Sequence, residues 1–446
     1  MRSESLHHTI TLVATITGLL ALVGLGIYLA ATSHENTNGK TIIRWAVDAH
    51  PIRKVTIALF EKRNPKIEVM NDPDASQQRL LTQIAGGIAP DVMAMYTAEQ
   101  LRMFAQNDLL LDLRPYVKKM HIPVDDLYPG LAPMVYYKDK IVAIPENCGT
   151  YNLFYNKKLF RQAGVPYPKP DWTWQDCLEA AKKLTKYKVV NGRKVPIQKG
   201  ILVPDAWWPC FVWSWGGNVF SKDHKHCLLN TDEAKQGIRF LADLRLKYHV
   251  APSSSEAQSM APTGDYGGDM LLFKQEKVAM VMIGRFMITQ YRLQKDLDWD
   301  VAYLPRGPVH VNIFGGKSYA IPKSSAHKEA AVKFVLHILS KENQLLIANY
   351  GDGLPTRRNK EIVKGFLYNP QYPKEKNNQI YVDELKYGRP AEDSPFINGT
   401  DFSSIADFEF GRMWLGEQTP EQACDKIAKR ADEVIRRNLA NPNFLK

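Results

Sequence analysis

The chain has 446 residues, 45% of them hydrophobic, which is too long for one ordinary core and long enough for two α/β lobes. Lys+Arg (58) exceed Asp+Glu (47), for a net charge of +11 and a pI near 9.2. The charge is spread out, and its densest stretch, 182–199, surrounds an Asn191-Gly192 turn and carries no aromatic stacking pattern, so a solvated helix end and hairpin is expected and no nucleic-acid partner is.

Residues 9–31 are uncharged and mostly apolar, dense enough in leucine to enter a bilayer. The run is longer than a signal-peptide core of about 7 to 15 residues and only Arg2 precedes it, which favours an uncleaved anchor. Ala31-Thr32-Ser33 also offers a small-residue cleavage site, so residues 1–33 read as a signal anchor or a signal peptide. Either reading places the rest of the chain outside the cytoplasm, held by the N-terminal helix or released after cleavage. No cysteine lies near enough for lipid attachment.

After a polar linker, 41–47 reads as a strand, 51–63 as a helix and 67–70 as a second strand. Asp72 and Asp74 precede a helical run and read as capping residues rather than a calcium loop or glycosidase pair. The stretch 77–92, QQRLLTQIAGGIAPDV, records a helix, its stop and the following strand: Leu80, Leu81 and Ile84 fall at helical spacing, Gly86 and Gly87 supply left-handed residues, and Pro90 forbids continuation. Asp91 opens a strand at 92–95 and braces its end. With a helix at 101–105, this gives the βαβα rhythm of a sheet covered by helices.

Strands at 141–144 and 153–155 flank Pro145-Glu146-Asn147-Cys148-Gly149-Thr150-Tyr151, which reads as a crossing between lobes, and a helix follows at 157–163. Thr173 with Asp176 makes an N-cap for a helix at 177–186, and Trp172 and Trp174 staple its start. The segment 207–217, WWPCFVWSWGG, holds four of the nine tryptophans, more than core packing alone would gather. Aromatic faces meet sugar C–H bonds while indole N–H and nearby polar groups meet hydroxyls, so the cluster reads as a carbohydrate platform, with Trp213 and Trp215 split in role from Trp207 and Trp208. Strands are expected at 278–282, 299–304 and 314–321, then a helix at 328–339, a turn at Gly351, Gly353 and Pro355, and a helical C-terminal region.

Chemistry-bearing motifs are absent. Gly316-Lys317-Ser318 resembles the tail of a phosphate loop, but Val311 stands where the first glycine belongs. HExxH, GxSxG and GxGxxG do not occur, and His224 and His226 read as a surface hairpin pair. The five cysteines show no CxxC or Cys/His metal spacing; Cys210 and Cys227 are the nearest pair in sequence, and free buried thiols are expected over a disulfide. No catalytic residue, metal or cofactor is expected.

Three phrases in order resemble one family, the extracytoplasmic solute-binding proteins of ABC importers in the group of the maltose-binding protein. They are IAGGIAPDV, LFYNKKLFRQAGVPYP with DWTWQDCLEAAKKLT, and GGKSYAIPKSSAHKEAAVKFVLHILSKENQ with GDGLPTR, and the resemblance runs from about Thr41 to Arg357. It implies an α/β, two-lobed periplasmic-binding-protein fold of the maltose-binding type (type II) after the N-terminal membrane helix. The lobes are then 41–146 plus 314–353 and 150–312 plus 356–446, closing over a solute held in the cleft without covalent chemistry. By position it implies ligand contacts from Asp48, His50, Tyr96, Glu146, Asn147, Tyr151, Trp213, Trp215, Gly284, Arg285, Phe286, Gly315 and Gly316. Arg285 departs from the small or polar residue expected there, which suits a carboxylate or phosphate on the ligand. The implied protein is a monomer that captures a carbohydrate, an oligosaccharide foremost, and passes it to the permease subunits of an ABC importer. An anionic sugar or polyol phosphate is the alternative ligand, and a membrane-anchored ligand-presenting sensor the alternative role.

Overall fold

The computed structural model describes residues 39–260 and 270–441. The expected anchor or signal segment, 9–31, lies outside the described residues, and among the described residues no helix is long and apolar enough to cross a membrane. The chain divides into two compact units. The first takes residues up to Ala94 with Leu109–Leu111 and Tyr319–His337; the second takes Met95–Asp108, Asp112–Ser318 and Ile338 onward. These bounds differ from the lobe division read from the sequence.

In the first unit, β1 (Thr41–Ala46) lies between β2 (Ile67–Asp72) and β3 (Val92–Met95), parallel to both. The helices Ile52–Arg63 and Gln77–Ala85 connect them, as the apolar periodicity predicts. Trp45 of β1 is fully buried and meets the edges of Tyr319 and Phe334 at ring distances of 5.2 and 4.9 Å, each such pair adding about 1 kcal/mol to its burial. The helix stop after Ala85 is made by Gly87 alone, at φ +71°; Gly86 keeps φ −79° and right-handed backbone, so only one of the two expected left-handed glycines is needed. Ile88 N–H reaches back to the Gln83 carbonyl at 2.9 Å, which closes the stop. Asp91 braces the strand end: its Oδ2 accepts the Arg44 N–H (2.9 Å) and its Oδ1 the Ser325 hydroxyl (2.7 Å).

Asp72 and Asp74 do not cap the next helix. Ser76 is its N-cap without a side-chain hydrogen bond, while Asp72 takes Arg79 bidentately (2.8 and 3.0 Å) and also Arg44 (3.2 Å). Charge pairing with two arginines outweighs a single N–H bond here.

The second unit carries a short hairpin of β4 (Tyr136–Tyr137) and β5 (Lys140–Ile141), then the 13-residue β6 (Ile144–Asn156). The sequence reads this run as two strands flanking a crossing segment, 145–151. One continuous strand forms instead, for Asn147 and Cys148 pair with β12 (Leu354–Pro355), which keeps that run extended. On β6, β9 (Val278–Gly284) pairs antiparallel on one side of the strand's second half and β10 (Trp299–Ala302) on the other; β9 continues to β8 (Arg193–Leu202) and β8 to β7 (Lys186–Val190). Strand β11 (Asn312–Ala320) neighbours β6 and pairs with β13 (Gly388–Arg389).

Thr173 caps Trp174–Leu184 with a full capping box to Asp176, and Trp174 is buried against Phe211 of another helix at 4.6 Å, so it packs into the core instead of stapling its own helix start. The 20-residue helix Pro420–Leu439, opened by Pro420 and a second capping box at Thr419, packs Ala423, Cys424, Ile427 and Ala431 into a core with Gly399–Trp414. All five cysteines are free and buried, and burial pushes their thiols up.

Candidate ligand-binding site

Within the second unit, β6 is buried along almost its whole length, and the exceptions are Gly149 and Tyr151. These lie two apart on one face of the strand, the face it shares with Asn147. Tyr151 is held by its own backbone: Asn312 on β11 accepts the Tyr151 N–H (3.1 Å) and donates to its carbonyl (2.6 Å). Asn312 is in turn fixed by Glu384 (2.7 Å), a fully buried carboxylate that also accepts the Leu304 N–H and faces His310 at 3.3 Å. A ring on an anchored strand residue keeps one orientation, which suits a stacking surface.

Trp207 stacks on Tyr151 with ring centres 4.0 Å apart and planes 23° from parallel. Burial pushes the Tyr151 phenol up to about 12, so it stays neutral and able to donate at ordinary pH. Opposite Tyr151 in the ladder stands Gly284, the last residue of β9. A β-carbon at Gly284 would come within 2.8 Å of two Phe286 ring carbons and 3.4 Å of the Tyr151 ring, so the missing side chain is what lets Phe286 lie beside Tyr151. We expect Gly284→Ala to displace the half-exposed Phe286 ring and weaken ligand binding roughly tenfold while leaving the melting temperature nearly unchanged. Titration calorimetry beside a thermal melt checks this; an unaltered affinity would remove Phe286 from the site.

A polar cluster occupies the other end of the same strand. Lys317 Nζ lies 3.0 Å from Glu146 and 3.5 Å from Asp352, all three side chains nearly sealed from solvent. Asn147 accepts the Lys317 N–H (3.1 Å) and donates to the Asp352 carbonyl (2.5 Å), and Gln344 donates to the Glu146 carbonyl (3.0 Å). Gly316 allows β11 to run against β6, since a side chain there would collide with the Asn147 carbonyl; Gly315 faces open space. The exposed Tyr96 ring lies 6.0 Å from Lys317 Nζ.

Two groups of the expected contacts form within this unit: Tyr96, Glu146, Asn147 and Gly316 near Lys317, and Gly284 and Phe286 beside Tyr151, which stacks on Trp207. Others lie elsewhere. Trp213 and Trp215 do not share one environment, because Pro209 starts a helix, Trp208–Ser214, through the cluster. Trp213 is buried, its Nε1 donating to Glu392 (2.6 Å) and its ring under Arg389 at 4.9 Å. Trp215 packs on Phe240 at 4.9 Å. Arg285 is turned into the interior, 1% exposed, with Nη1 on the Gly353 carbonyl (3.1 Å) and its guanidinium beside Phe366 (4.7 Å) and Tyr381 (5.7 Å); burial lowers its pKa to about 10.

In the first unit, Asp48 and His50 organise the start of the helix Ile52–Arg63. Asp48 accepts the His50 N–H (3.0 Å) and clasps the buried Arg53 through both oxygens (3.1 Å each), and His50 Nδ1 accepts the Ile52 N–H (3.3 Å). Sequence reasoning does not single out Asn312, Glu384, Lys317 or Asp352. They matter through partners more than 30 residues away, which no local pattern encodes. Trp207 could be found, since it lies in the tryptophan cluster, but only the fold shows which of the four meets Tyr151.

The chain matches the family described as bacterial extracellular solute-binding protein over residues 35–345. It is 21% identical over 436 residues to the galactooligosaccharide-binding protein of Bacillus subtilis, covering 94% of each. It is 23% identical over 441 residues to the sn-glycerol-3-phosphate-binding periplasmic protein of Escherichia coli, covering 93% of this chain and 96% of that one. Among solved structures, an ABC substrate-binding protein of Listeria monocytogenes in complex with cycloalternan superposes with a TM-score of 0.77 at 26% identity, over 90% of this chain and 99% of that chain. The fold is thus the two-lobed α/β fold of the maltose-binding type, and the chain belongs to the bacterial extracellular solute-binding protein family.

Proposed function

We propose that this protein binds a neutral carbohydrate, an oligosaccharide, outside the cytoplasm and hands it to the transmembrane subunits of an ABC importer. The observation that carries the reading is the anchored aromatic wall of Tyr151, Trp207 and Phe286, with Asn147 on the same face of β6. Sugar rings present C–H faces to such a wall and hydroxyls to its polar border, and several such contacts suffice for micromolar binding. By their descriptions the Bacillus subtilis protein binds galactooligosaccharide and the Listeria monocytogenes protein is in complex with cycloalternan, which supports a carbohydrate ligand here.

The alternative, an anionic sugar or polyol phosphate, draws on the Escherichia coli relative. A phosphate calls for a cation presented to it. Arg285 is turned inward and Lys317 is held between Glu146 and Asp352, so the second unit's wall favours an uncharged ligand. The lobe division 41–146 plus 314–353 and 150–312 plus 356–446 is part of this proposal, as are the site roles of Tyr96, Asn147, Tyr151, Gly284, Phe286 and Gly315. The role is binding rather than catalysis.

A panel of neutral oligosaccharides and their phosphorylated counterparts, titrated against the dialysed protein by tryptophan fluorescence, tests the proposal. The expected result is saturable change with neutral sugars that is insensitive to salt. Salt-sensitive binding of the phosphorylated sugars alone would replace it with the alternative.

A further inference from the structure

The hairpin of β7 and β8 takes no part in the site described above. Residues 182–199 contain seven lysines and arginines and no aspartate or glutamate. Lys182 is paired with Glu179 and Lys199 with Glu256, whereas Lys186, Lys188, Arg193 and Lys194 on the ribbon are ion-paired with no described residue. At the tip, Asn191 (φ 50°) and Gly192 (φ 73°) make the tight left-handed turn that the Asn-Gly pair favours. The two valines before it are out in solvent, Val189 70% exposed and Val190 41%.

The cross-strand register places a cation beside an aliphatic on both faces: Val189 with Lys194 on one, Val190 with Arg193 and Val195 with Lys188 on the other. β7 is the terminal strand of the sheet order, and both ribbon faces stay exposed up to the tip. A protein partner would cover one face, or extend β7 by its free edge. Aliphatic and basic groups alternating around the whole tip match a medium that surrounds it, with anionic headgroups at the level of the cations and acyl chains at the level of the valines. We infer that this hairpin is a membrane-contact element, docking its valine tip into the headgroup layer of an anionic lipid bilayer. Several basic residues within a Debye length of such a surface give a strong, salt-screened attraction.

The test uses the full chain carrying Val189→Cys labelled with an environment-sensitive fluorophore. All five native cysteines are buried, so the label reports the tip and not residues 9–31. Phosphatidylcholine vesicles containing about one third phosphatidylglycerol should shift the emission to the blue, pure phosphatidylcholine vesicles should not, and high salt should reverse the shift. Adding Lys186→Glu, Lys188→Glu, Arg193→Glu and Lys194→Glu should weaken vesicle binding by at least about a hundredfold. If that variant fails to fold, Lys188→Gln with Lys194→Gln should give a partial loss. The inference is overturned by no shift on anionic vesicles, by an equal shift on pure phosphatidylcholine, or by an equal shift with lipid-free polyphosphate, which would make the surface a general polyanion site.

Discussion

Trp207→Ala should lower the affinity for a neutral oligosaccharide about thirtyfold, the effect of losing one aromatic anchor worth about 2 kcal/mol. The ring backs Tyr151, 4.0 Å away and nearly parallel, and is the more buried of the two, so its removal takes away the support that fixes the tyrosine. Trp215→Ala should change affinity less than about twofold, because that ring packs on Phe240. Trp213→Ala should chiefly unfold the protein, since a buried indole is lost and Glu392, which also accepts the Val219 and Phe220 N–H groups at 2.9 Å, loses its bond. Calorimetric titration of the three variants, with melts alongside, separates these outcomes. Loss of affinity in Trp215→Ala with none in Trp207→Ala would restore the pair read from the sequence.

Lys317→Met should destabilise the fold by about 3 to 5 kcal/mol. It leaves Glu146 and Asp352 buried without the ammonium that lies 3.0 and 3.5 Å from them, and an uncompensated buried charge has that cost. The double variant Lys317→Met with Glu146→Gln should recover part of the loss, because one of the two stranded carboxylates is neutralised. Urea unfolding measures both, and a single variant as stable as the parent would show that the pair is solvated rather than sealed.

Local patterns in the chain were sufficient for the family and for the elements that near neighbours decide. The strand 92–95, the helix 157–163 and the Thr173 capping box are set by nearest neighbours, and the structure places them where the residue pattern does. Where distant partners decide, the pattern misleads. The run 145–151 reads as a crossing segment between two strands, yet β12 pairs with Asn147 and Cys148 and keeps β6 extended. Asp72 reads as a cap, yet Arg44 and Arg79 take it. For the candidate site, the family's order of segments puts forward Tyr151, Gly284 and Phe286, while Trp207, Asn312 and Lys317 gain their meaning only from what the fold sets beside them. Arg285, whose charge suggests an anionic ligand in the sequence, is buried beside Phe366 and Tyr381.

The central claim is that a neutral sugar stacks on the wall built by Tyr151 and Trp207. Its most direct test is calorimetric titration of the dialysed protein with maltotriose and related neutral oligosaccharides, in parallel with sn-glycerol 3-phosphate. The account predicts saturable binding of at least one neutral oligosaccharide, lost in Trp207→Ala. Binding of the glycerol phosphate with no neutral sugar bound, or sugar binding that Trp207→Ala leaves intact, would contradict it.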